Sequence, residues 1–138
     1  MKPKILLRIA AFLMLLHAVG HTFGHSGWKK ATDAAKQEVI SKMTDQKFPF
    51  MGSKRSMGEF YDGYGYACTL ALLLIAYLLW ITSTAQTLIS KKVILAVSIC
   101  LFLWGGVELI YFFPAAAAFS LVSAVLGIWA VFGMKVEG

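Results

Sequence analysis

Four stretches of about twenty consecutive, mostly apolar residues run through this chain, at about 5–25, 64–84, 93–113 and 115–134. A stretch of that length crosses the roughly 30 Å hydrocarbon core of a bilayer as a helix. Backbone amides inside hydrocarbon must be satisfied within their own segment, and the stretches lack the alternation of barrel strands, so all four read as helices. They fill more than half of the 138 residues and leave no room for a separate soluble domain. The expected fold is all-α: an integral membrane four-helix bundle, one transmembrane domain spanning 1–138. The chain is 59% hydrophobic and 14% charged, against roughly 45–50% and about 25% in soluble domains. Its net charge of +6 comes from Lys and Arg flanking the apolar segments, where membrane topology places them. That balance points to lipid headgroups and argues against a nucleic-acid partner.

The connections are unequal. Phe113-Pro114-Ala115 separates spans three and four by almost nothing, and proline ends the preceding helical pattern, so a tight antiparallel hairpin is expected. The link at 85–92 is short and basic. The long connection, 26–63, holds most of the non-membrane structure. In it Trp28, Ala31, Ala35, Val39 and Met43 share one helical face, with Lys29, Lys30, Asp33, Lys36 and Gln37 opposite, which predicts an amphipathic helix at the membrane interface between spans one and two. Phe48-Pro49-Phe50-Met51 is too short to span and is expected to dip into the headgroup layer or pack over the bundle mouth. Ser56-Met57-Gly58-Glu59 matches a capping box and should open the second helix.

Lys2, Lys4 and Arg8 before an apolar run, with Ala18-Val19-Gly20 after it, also resemble a signal peptide; we read the segment as a retained span. Lys and Arg number six on the side of the termini and seven on the other. The basic start of span one then places both termini in the cytoplasm. Cys68 and Cys100 fall at different depths and are not expected to pair.

All three histidines lie on span one, as His17, His21 and His25. Spacings of four turn 400° each, so the rings share a face. Gly20 and Gly24 run beside them in a GxxxG pattern that lets a neighbouring backbone approach. Glu108 is the ionisable group inside span three, and a carboxylate there must face the bundle interior. Counting 1.5 Å per residue from each span centre, His17 lies about 3 Å, Glu108 about 7 Å and His21 about 9 Å toward the leaflet of the long connection, with His25 near that surface. Glu59, Tyr61, Asp62, Tyr64, Tyr66 and Tyr111 fall at the same level. These residues define an expected polar pocket in one half of the bilayer.

Such a pocket suits two kinds of ligand. HxxxH is a ligand pair for zinc, iron or copper, with His17, His21 and Glu108 as the preferred set and Glu59 or Asp62 reaching down. Haem is disfavoured because its two axial histidines come from opposite faces, whereas these share one helix. Alternatively, an apolar cavity with convergent His, Glu, Asp and Tyr groups binds a small apolar, lipid-like molecule, and a His/Glu pair supports acid–base chemistry on it. The bland reading makes the His–Glu contacts register-fixing hydrogen bonds in a structural or accessory subunit. Glu59 is then only a cap, and the tyrosines and Trp28 an aromatic belt. Ser120, Ser123, Ala124 and Gly127 form a small-residue stripe for packing within the bundle or in a homo-oligomer. Trp80, Trp104 and Trp129 read as lipid-facing bulk, and the basic turn at 52–56 as a headgroup contact.

The pattern Arg8-x8-His17-x3-His21-x3-His25 with SMGEFYDGYGY at 56–66 resembles a family of small four-span bacterial membrane proteins. The resemblance implies the four-span fold and a bacterial inner-membrane setting, and brings no activity or ligand with it.

Overall fold

The computed structural model describes residues 2–85 and 87–135. Its elements are α1 (Pro3–Ser26), α2 (Ala34–Asp45), β1 (Lys47–Phe50), β2 (Ser53–Ser56), α3 (Met57–Thr82), α4 (Leu88–Tyr111) and α5 (Pro114–Gly133). Helices α1, α3, α4 and α5 are long and apolar enough to cross a membrane, so this is a small, all-α polytopic membrane protein. The chain divides into two compact units, Met1–Ala18 with Ala71–Gly138, and Val19–Leu70.

In the first unit, helical segments enclose a core of Leu6, Leu7, Ala10 and Met14 with Leu72, Leu79, Ile94, Leu101 and Ala124. The outward faces stay apolar, as at Phe102, Ile110 and Phe132, the pattern of a bundle whose solvent is lipid. Helices α4 and α5 form the expected hairpin. Phe113 is extended (φ −145°, ψ 152°), as a residue before proline must be, and Pro114 occupies the first turn of α5, where no amide is required. Side-chain neighbours pair in descending order, Glu108 with Ser120 and Ser98 with Gly127, so the two helices run antiparallel. Helix α5 also lies antiparallel to α1: Ser120 meets His17, Ser123 donates to the Ala10 carbonyl (3.3 Å), and Gly133 adjoins Pro3. The stripe Ser120, Ser123, Ala124 and Gly127 is buried. It is spent on packing inside the chain, which removes it as the face of a homo-oligomer.

The α4 start differs from the expected link. Thr87 accepts from the Ser90 amide (3.1 Å) and begins the helix at Leu88, so Lys91 and Lys92 belong to its first turns rather than to a connection. Similarly, the Ser56–Glu59 capping box starts α3 at Met57, seven residues before the apolar stretch. The Ser56 amide donates to Glu59 Oε2 (2.7 Å), and the Glu59 amide to Ser56 Oγ (3.2 Å).

The second unit corrects three expectations. The helix of the long connection is α2, shorter than the apolar spacing suggests: the Asp33 carboxylate accepts from the Lys36 amide (2.8 Å) and caps it at Ala34, leaving Trp28 and Ala31 outside. Asp at an N-cap outcompetes helix continuation. Phe48-Pro49-Phe50 is a strand, pairing Phe48 with Arg55 and Phe50 with Ser53. Met51 (φ 45°) and Gly52 (φ 83°) supply the two positive φ angles of a tight hairpin. Strand alternation puts Phe48 and Phe50 on one face, where both rings meet Phe60 at 6.1 and 5.2 Å. Finally, Gly20 and Gly24 have open space where a Cβ would project, so among the described residues no backbone approaches closely over their GxxxG surface.

Candidate functional site

Most of the sequence-selected residues fall into two constellations, each within one unit. In the first unit, Glu108 and His17 are buried, at 5% and 6% exposure. His17 Nε2 lies 3.1 Å from Glu108 Oε1. Trp104 Nε1 donates to that same oxygen (3.0 Å), and Ser120 Oγ donates to Oε2 (2.7 Å). Ser120 Oγ also lies 3.4 Å from His17 Nδ1, closing a ring, and Phe119 stacks on the imidazole at 5.7 Å.

Proton bookkeeping gives this ring three complete states. Ser120 has one proton to donate, and an ionised carboxylate only accepts. When Ser120 donates to Glu108, the contact to His17 requires Nδ1 to donate, and the pair is either imidazolium and carboxylate or, with the proton on Oε1 donating to Nε2, neutral on both sides. When Glu108 carries the proton on Oε2, it donates to Ser120, Ser120 donates to Nδ1, and both partners are neutral. The same heavy-atom positions serve all three states, so the buried groups keep their hydrogen bonds in each.

Trp104 and Ser120 are the site residues that reading the sequence missed. Trp104 passed for lipid-facing bulk, although it stands four residues before Glu108 and so shares its face. Ser120 passed for simple packing; nothing local distinguishes it from Ser123.

In the second unit, the His25 side chain is 6% exposed and lies 3.9 Å from Asp62. Asp62 accepts from Trp28 Nε1 (2.7 Å) and Lys29 Nζ (2.5 Å). Tyr61 and Tyr66 pack on the His25 ring, both at 5.4 Å, and His21 stacks on it at 5.9 Å. His21 Nε2 is engaged with the Gly65 carbonyl at 3.1 Å. The His25 imidazole covers Gly65 so closely that a Cβ there would overlap the ring. Substituting Gly65→Ala should therefore push His25 from between the two tyrosines and destabilise this unit by about 1–3 kcal/mol, as overpacking does. Imidazole NMR of the ¹⁵N-labelled protein checks this: the His25 signals should move in Gly65→Ala and stay in Gly63→Ala, where the Cβ meets open space.

The remaining candidates sit apart from polar convergence. Glu59, at 38% side-chain exposure, is held by its cap and by Lys47 (3.6 Å) and Arg55 (3.8 Å). Tyr111 ends α4 at 75% exposure, the position of an interfacial aromatic rather than a pocket wall. Among the described residues, no three His, Cys, Asp or Glu side chains are grouped to hold a metal ion; of the set His17, His21 and Glu108, His17 bonds Glu108 while His21 bonds a backbone carbonyl.

Two open grooves accompany these clusters. One, of about 260 Å³ in the first unit, is lined by Ala11, Phe12 and Leu15 of α1 and Leu73, Ala76, Tyr77 and Trp80 of α3. The other, of about 450 Å³ in the second unit, is lined by Arg55, Glu59, Phe60, Gly63, Tyr64 and Ala67.

Fold and site together define a small polytopic membrane protein with a buried His–Glu–Ser–Trp network. No protein-family model, curated protein or solved structure matches the chain.

Proposed function

We propose that this protein binds a lipid-like molecule within the membrane, receiving its chain in the α1/α3 groove of the first unit, while the His17–Glu108 network holds the surrounding helices in register. The observation that carries this reading is the groove lining, which is apolar and aromatic throughout. Its volume of about 260 Å³ suits a single acyl chain better than a bulky ring system, since pockets for drug-sized ligands begin near 300 Å³. Catalysis by His17 and Glu108 is supported less well, because both Glu108 oxygens are already bonded within a buried ring. Metal binding is supported least, for want of a third ligand. The four-span bacterial family that the sequence resembles provides a compatible setting in the inner membrane, and the basic start of span one favours cytoplasmic termini.

A photoreactive phospholipid carrying a diazirine near the end of its acyl chain tests the reading in nanodiscs. Crosslinks should concentrate on 11–15 and 73–80, and Leu15→Trp, which fills the groove from an exposed position, should remove them. Even labelling of the outward faces, including Phe102 and Phe132, would overturn it.

A further inference from the structure

Arg8 raises a question that the groove helps to answer. It lies on α1 about 7–8 Å along the axis from the helix start, and a cation at such a position in a membrane helix needs a partner. Among the described residues no carboxylate forms an ion pair with it, and its buried Nε has no hydrogen-bond partner. Its guanidinium stacks instead on the Trp80 ring, 4.9 Å from the centroid. Trp80 is also a wall of the α1/α3 groove, so a cation without a carboxylate partner stands at one end of an apolar groove. A second unsatisfied group is near that end in the chain: Ser83 Oγ is buried without a partner, and the Ser83 amide donates to the Trp80 carbonyl (3.2 Å).

We infer that Arg8 is the headgroup-binding residue of an anionic phospholipid whose acyl chain occupies the groove. The inference rests on the groove reading above and adds the class of ligand. Stacking on Trp80 orients the planar fork of donors, which matches phosphate geometry better than a lysine would. Arg8 lies over Trp80 at one end of the groove, whose α1 wall runs from Ala11 through Phe12 to Leu15, so charge and apolar length follow the order of an amphiphile's head and tail. A zwitterionic headgroup carries a cation of its own beyond the phosphate and is disfavoured at a site whose charge is already positive.

Native mass spectrometry with phosphatidylglycerol and phosphatidylcholine of identical chains tests the assignment. The native chain should retain phosphatidylglycerol roughly tenfold better, the effect of about one charge-assisted contact. Arg8→Gln should bring the two lipids level without abolishing either, and Arg8→Lys, which keeps the charge and controls for folding, should keep part of the preference. Equal retention of both lipids by the native chain would overturn the headgroup assignment and leave the groove standing. A preference that persists in Arg8→Gln would overturn it as well. Retention unaffected by Leu15→Trp would overturn the groove reading itself.

Discussion

Replacing Glu108 with leucine should destabilise the protein by about 2–3 kcal/mol, measured as reversible unfolding in mixed micelles. The substitution takes one acceptor from His17, Ser120 and Trp104 at once. Interhelical hydrogen bonds in membranes are each worth about 1 kcal/mol, and here two cross between helices, with their buried donors losing the shared acceptor. The sharper expectation concerns coupling. In a background where His17 is already phenylalanine, Glu108→Leu should cost about 1–2 kcal/mol less than it does alone, because the imidazole is no longer stranded. Additive losses would show that the 3.1 Å contact contributes nothing of its own. Ser120→Ala should cost less than Glu108→Leu, since it removes one donor and leaves the His17–Glu108 contact.

The second large effect is expected at the α4–α5 seam. Gly127 packs against the Ser98 hydroxyl so tightly that a methyl group at Gly127 would overlap it. Ser98 is fully buried and bonds back to the Ile94 carbonyl (2.8 Å), so it has no open space to turn into. Gly127→Ala should destabilise by about 1–3 kcal/mol despite the better helix propensity of alanine. Ser98→Ala should rescue it to within about 1 kcal/mol, because the Ser98 Cβ stands 3.4 Å from the added atom, close to ordinary contact. If Gly127→Ala alone is neutral, the seam is looser than these contacts describe.

Much of the architecture was legible before any coordinates. Apolar length identified the four crossing helices, Pro114 the hairpin, and Ser56 with Glu59 the start of α3, because each depends on residues close in the chain. The pairing of His17 with Glu108 was also foreseeable: both are ionisable groups in apolar helices, and burial of either requires a partner. The errors lie where one local signal competes with another. Asp33 caps a helix that apolar spacing alone runs backward to Trp28, and Phe48-Pro49-Phe50, expected only to dip into the headgroup layer or pack over the bundle mouth, has the alternation of a strand that pairs with 53–56.

Sequence by itself thus determined the class of protein, since bilayer thickness and the need to satisfy every backbone amide admit few alternatives for four stretches of this length. It also determined which polar groups are costly enough to demand partners. Only the tertiary structure decided who those partners are. Ser120 and Ser123 look alike in the chain, yet one reaches Glu108 and the other the Ala10 carbonyl; Trp80 and Trp104 look alike, yet one carries Arg8 and the other bonds Glu108. Helix rotation and axial offset set those choices. They come from packing between segments distant in sequence, which no local pattern encodes.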